Sequence, residues 1–187
     1  MALNKQDLIN GFCKAGINKG DEIEVHSSLS SFGYVDGGAE TVISALKEAV
    51  GDNGSIFMPA LRLSPELPLT EEDKKAGITS KIKILPENRM HSAMGIIADT
   101  FRMMPDTVTG DGIFAVSGWG RNANEAGEPP VKPWYSIQAQ AYEKGLIREG
   151  YIGSCKYMCF GIRDVVGLYR QALETDPPGL YLSLIHI

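Results

Sequence analysis

Gly20-Asp21-Glu22-Ile23-Glu24-Val25-His26-Ser27-Ser28-Leu29-Ser30-Ser31-Phe32-Gly33 is the stretch whose reading decides the fold. From Asp21 to His26 charged residues alternate with Ile23 and Val25, the period-two pattern of a strand with one face toward a core. A polar, glycine-rich loop, Ser27 to Gly38, follows. From Ala39 the apolar positions Val42, Ile43, Leu46, Ala49 and Val50 recur at helical spacing and end at the turn Gly51-Asp52-Asn53-Gly54. A second apolar strand, Ser55 to Pro59, comes next. Strand, loop, helix, turn and strand make a βαβ unit, which predicts an α/β fold with a mostly parallel sheet built from such units and covered by helices.

Upstream, Asn4 is placed to cap a helix carrying Leu8, Ile9 and Phe12, with Gly16 to end it. Downstream, 61–89 is proline-punctuated and charged without sustained periodicity, so a long mobile connection is expected there. Alternation resumes with a helix from about Ala93 to Met103, a strand around Ile113 to Gly118, a helix near Ser136 to Lys144, a strand at Lys156 to Phe160 and a helix to Glu174. The tail, Gly179 to Ile187, follows a double proline with five bulky aliphatics and no stop signal. It reads as an atypical or truncated ending, with a short strand as the alternative.

The chain has 187 residues, enough for one domain, and its 43% hydrophobic and 22% charged residues are those of an ordinary globular protein. No run approaches the ~18 apolar residues of a membrane span, and Met1 to Gly20 lacks the layout of a signal peptide, so a cytoplasmic protein without membrane partners is expected. A net charge of −5 argues against nucleic acid, which demands clustered Lys and Arg, and is compatible with a cationic substrate. Cys13, Cys155 and Cys159 fit neither a zinc site nor a redox pair and read as packing residues; no metal is expected.

In a parallel α/β sheet, ligands bind beyond the carboxyl ends of the strands, which singles out His26, Ser27, Ser28, Leu29, Ser30, Ser31, Phe32 and Gly33. Serine hydroxyls, the amides of a tight loop and a glycine for close approach suit a phosphate-bearing ligand. The phosphate-binding and dinucleotide fingerprints of kinases and dehydrogenases are missing, as are a Gly-x-Ser-x-Gly elbow and a His-Glu-x-x-His pair.

The quoted run, together with Val35, Gly37-Gly38-Ala39 to Val50, Gly54 to Met58-Pro59, Ser92-Ala93-Met94-Gly95-Ile96-Ile97-Ala98, Phe101-Arg102, Pro105 and Ala115-Val116-Ser117-Gly118-Trp119-Gly120, resembles the aminoglycoside 3-N-acetyltransferase family. The similarity spans roughly Leu3 to Glu174. It implies an antibiotic N-acetyltransferase-like fold, with acetyl-coenzyme A as cosubstrate and a small-molecule amine, an aminoglycoside or related amino sugar, as acceptor. The His26 to Gly33 loop would hold the cosubstrate, and Met58 and Pro59 would line the acetyl-transfer region. A homodimer is left open.

The family has a segment like His-Pro-x-His-Ser-Val-Ala-Ala-x-Gly whose second histidine is the general base. Here Asp111-Gly112-Ile113-Phe114-Ala115-Val116 matches it, with Phe114 at the base and Asp111 at the first histidine. Tyr169 stands where a second family histidine belongs. Losing a positioned base typically costs ~10²–10⁴ in rate. Two candidates remain. Asp111 is a substitute base if partly desolvated, or a plain turn residue in Thr109-Gly110-Asp111-Gly112. His26 is a buried strand-end histidine, or a base. The resulting hypotheses are an acetyltransferase with altered proton transfer and a homologue that binds coenzyme A but has lost its base.

Overall fold

The structure, a computed structural model, describes residues 2–126 and 141–175. Helix α1, Lys5–Ala15, starts where the sequence places it: the Asn4 side chain accepts from the Asp7 amide, and Asp7 accepts from the Asn4 amide in a reciprocal capping box. Gly16, in the left-handed region, closes it. Strand β1 is Glu22–Glu24, helix α2 is Gly38–Val50 and strand β2 is Ser55–Pro59. Beyond them lie α3, Glu71–Lys75, α4, Ile96–Arg102, β3, Val108–Thr109, and β4, Val116–Gly120.

The core follows from the face that α2 presents. Ala39, Val42, Ile43, Ala45, Leu46, Ala49 and Val50 are buried, and the helix packs on α1, α4 and β2. Leu8 and Phe12 of α1, Ile97 and Phe101 of α4, and Ile56 and Met58 of β2 complete this core. Each large aliphatic side chain so buried contributes about 1.5–3 kcal/mol. Lys47, on the same helix, lies 4.8 Å above the Trp119 ring, and both side chains bond the Asp106 carboxylate, at 2.8 and 2.7 Å.

The sheet has the order β1-β2-β4-β3. β1 and β2 run parallel, Glu22 opposite Ser55 and Glu24 opposite Phe57, as the βαβ reading requires. The expected mostly parallel sheet does not extend further among the described residues: β4 is antiparallel to β2, with Ser55 opposite Gly120 and Pro59 opposite Val116, and β3 is antiparallel to β4. The sheet is mixed. The chain enters β4 through a reversal in which the Gly110 amide bonds the Val116 carbonyl, rather than through a crossover helix. Period-two alternation marks a strand but carries no direction.

The 61–89 connection is tied at its base. Leu63 and Ile84 form an antiparallel bridge, and amides of Ser64, Leu67 and Leu85 bond carbonyls of Lys83, Lys81 and Arg62. At its tip α3 has its own capping box between Thr70 and Asp73.

The described residues group into two units, 2–126 with 152–155 and 141–151 with 156–175. The second contains most of strands β5, Arg148–Ile152, and β6, Cys155–Cys159, and helix α5, Ile162–Thr175, with Ala141 and Leu168 buried among Leu146, Ile147 and Phe160. Of the helix expected near Ser136 to Lys144, residues 141–143 are helical and the earlier ones lie outside the described residues, as does the 179–187 tail. The cysteines form no disulfide among the described residues; Cys13 is exposed, against its reading as a packing residue.

Candidate functional site

A cleft of about 590 Å³ opens beside the loop after β1. Ser27, Ser28, Leu29, Ser30 and Gly33 form one wall, and Ala93, Met94, Gly95 and Ile96 the other. The serine wall is built by a short 3-10 turn, Leu29–Phe32, in which the Ser31 amide bonds the Ser28 carbonyl and the Gly33 amide the Ser30 carbonyl. Phe32, 7% exposed, anchors the turn in the core. A turn of this kind leaves its first amides, those of Leu29 and Ser30, without partners inside it, and such amides are donors for an anion. The hydroxyls of Ser28 and Ser30 lie 3.0 Å apart, and the buried Ser27 Oγ has no hydrogen-bond partner. One wall is therefore rich in polar hydrogens, and the other is mostly apolar.

The apolar wall is a turn fastened from behind. The Asp99 carboxylate accepts from the Ser92 amide at 2.7 Å, from Ser92 Oγ at 3.0 Å and from Arg102 Nε at 3.2 Å. Ser92 Oγ in turn accepts from the Met94 amide at 3.2 Å. Arg102 reaches the Arg89 carbonyl, and Arg89 reaches the Ala60 carbonyl just past β2. Burial and the neighbouring Arg102 charge push the Arg89 guanidinium below its ordinary value. Sequence reasoning assigned this wall no role. Its signal was Ser92 with Gly95 just before an apolar helix and an aspartate, Asp99, where that helix should face the core.

Of the residues read from the sequence, Ser27, Ser28, Leu29, Ser30 and Gly33 line the cleft. Ser31 is exposed beside it, and Phe32 is its buried support. Met58 and Pro59 do not line it: both are buried in β2, paired with Ser117 and Val116 of β4, and Met58 is 0% exposed. A side chain enclosed by the core has no surface left for a ligand. Asp111 is exposed in the connection between β3 and β4, as a turn residue would be, and Phe114 just before β4 is 41% exposed.

His26 is not a buried histidine. Its side chain is 72% exposed, and Nε2 lies 3.2 Å from Glu24 Oε1. Residues two apart on an extended segment share a face, so Glu24 and His26 meet at the strand end. The hydrogen bond from His26 holds the Glu24 carboxyl below its ordinary range, against the opposing pull of burial.

Residues 25–133 match the family described as aminoglycoside 3-N-acetyltransferase. The chain is 30% identical over 161 residues to the SPbeta prophage-derived aminoglycoside N(3')-acetyltransferase-like protein YokD of Bacillus subtilis, covering 79% of this chain and 58% of that protein. It is 54% identical over 44 residues to aminoglycoside N(3)-acetyltransferase III of Salmonella sp, covering 24% of this chain and 15% of the other. The chain thus spans at most about three-fifths of these curated relatives. In fold it is similar to the crystal structure of YokD from Bacillus subtilis, with a TM-score of 0.73 at 18% identity, the superposition reaching across 95% of this chain and 96% of that one. It is likewise similar to a structure described as AAC-IIIb binary with CoASH, with a TM-score of 0.69 at 14% identity over 93% and 97% of the two chains. The match over 25–133 covers more than half of the sequence and includes helix α2, strand β2 and both walls of the cleft, so this chain belongs to the aminoglycoside 3-N-acetyltransferase family.

Proposed function

We propose that the chain carries the cosubstrate-binding part of an acetyl-coenzyme A-dependent N-acetyltransferase that acts on the amine of an aminoglycoside or related amino sugar. The observation that carries the reading is the cleft, whose serine wall belongs to the segment the family match covers. Free amides and hydroxyls on one side suit phosphate and amide oxygens, while Leu29, Ala93, Met94 and Ile96 suit an aliphatic arm. The relative described as binary with CoASH supports the same ligand.

Transfer needs a neutral amine to attack the thioester carbonyl, so a group must take the ammonium proton and donors must face the oxygen that gains charge. His26 is the better placed acceptor: it follows β1, precedes the cleft-lining Ser27, and has Glu24 to orient its ring. Asp111 is the second candidate. Activity of this kind would serve antibiotic resistance in the cytoplasm. Phe114 at the family's base position favours one further reading, a homologue that binds coenzyme A without efficient transfer.

Calorimetry with coenzyme A, followed by thiol release from acetyl-coenzyme A with a panel of amines, tests both. Binding with amine-dependent thiol release supports the transferase, and binding without release supports the second reading. A folded protein that does not bind coenzyme A refutes both.

A further inference from the structure

We infer that Ser92 and Asp99 are positioning residues of the cleft, fixing the Ala93 to Ile96 wall and thereby setting its affinity for coenzyme A. The inference rests on the reading of the cleft given above.

The carboxylate of Asp99 is 3% exposed and starts four residues into a short helix, yet two of its three hydrogen bonds leave the helix to grip Ser92. Ser92 is the residue before the wall, is itself 7% exposed, and passes the restraint on by accepting from the Met94 amide. A carboxylate serving only to neutralise Arg102 would need none of these contacts. The wall has little else to hold it. Gly95 sits at φ 85, outside the helical region, so α4 cannot extend backward and stiffen the turn. Its other backbone ties are the Ala93 amide to the Leu63 carbonyl, a long 3.4 Å bond from the Gly95 amide to the Ser92 carbonyl, and the Asp99 amide to the Gly95 carbonyl at 3.0 Å. Arg102 balances the buried charge, and through the Arg89 carbonyl joins the assembly to the end of β2. With both Asp99 oxygens and the Ser92 hydroxyl partnered, the network holds one arrangement around Ser92, and losing a single member leaves a buried group unsatisfied.

The test pairs affinity with local exchange. Ser92→Ala removes the link between Asp99 and the Met94 amide. It is expected to weaken coenzyme A binding about tenfold in calorimetry, the effect of one lost buried hydrogen bond, and to speed amide exchange at Met94 and Gly95. Ser92→Thr, which keeps the hydroxyl, is expected to restore affinity to within about twofold. A residue that only supports the fold would lower the melting temperature while leaving affinity in the folded protein unchanged, and that result overturns the inference. A wild type that binds coenzyme A with no slowing of exchange across 93–96 at saturation also overturns it, with no variant required. A wild type that does not bind coenzyme A overturns the functional reading and this inference together.

Discussion

The Ser154 hydroxyl donates to the Ser31 carbonyl at 2.7 Å, and the same oxygen would lie 3.2 Å from a Cβ added at Gly33. Gly33 has φ 77, a left-handed value that side chains resist, and it is both the end of the 3-10 turn and part of the cleft. A residue far along the chain thus fixes the exit of the serine wall. Ser154→Ala should cost the loop about 1 kcal/mol of order, read as faster amide exchange at Ser31 to Gly33 and a several-fold weaker affinity for coenzyme A. Gly33→Ala should do more, because it strains the backbone and crowds Ser154 at once.

Gly120 makes a second requirement visible, one of stability rather than binding. At φ 98 it pairs with Ser55 at the β2–β4 edge, and an added Cβ would overlap the Gly54 carbonyl oxygen and lie 3.0 Å from the Ser55 Cα. The colliding atoms are backbone and cannot turn aside. Gly120→Ala should therefore lose at least ~2 kcal/mol in denaturant unfolding, with an unchanged slope.

How far the sequence reached can be traced residue by residue. Asn4 and Gly16 bound α1, and Ser55 to Pro59 is β2 as read, because capping and apolar periodicity are local signals. Strand direction is not local, which is why the antiparallel return of β4 was missed. The helix expected from Ala93 begins at Ile96 because the Asp99 grip on Ser92 holds Ala93 to Gly95 as a turn. Strand β5 escaped because Arg-Glu-Gly-Tyr-Ile has neither alternation nor an apolar run. In the site, the serine wall was legible from its composition and its place after a strand. The opposite wall was not, since its role depends on a tertiary network, and the burial of Met58 away from the cleft lining was not legible either, because burial cannot be read from a strand end alone.

The 61–89 connection carries a pH signature. Asp73 accepts from the Thr70 amide within its capping box and pairs with Lys81 at 2.8 Å, and these bonds, Lys81 foremost, lower its carboxyl from 3.8 to about 2. A lowered pKa means that the folded form prefers the carboxylate, so the stabilisation is present above about 4 and is lost as pH falls toward 2. Amide exchange at Thr70 to Ile78 should accelerate over that window. Lys81→Met should move the Asp73 titration upward in carboxyl NMR, and an Asp73 that titrates near 3.8 in the unaltered chain would show that the pair does not persist in solution.

If Phe114 stands where a base belongs, turnover should be slow, and the residue that carries what remains can be found by subtraction. Phe114 is 41% exposed, so Phe114→His adds a titratable group without opening the core, and it should raise kcat if the surrounding geometry accepts the amine there. His26→Gln keeps a similar volume but cannot cycle a proton. It should lower kcat by ~10²-fold or more while leaving coenzyme A affinity within a few-fold, because His26 does not line the cleft. Glu24→Gln should lower kcat in the same direction by less, since it removes the ring's orienting partner rather than the ring. Asp111→Asn should change little, as Asp111 lies exposed in the connection between β3 and β4 and neither lines the cleft nor adjoins a lining residue in the chain. A large loss in Asp111→Asn with His26→Gln unaffected would reverse the assignment and make Asp111 the acceptor.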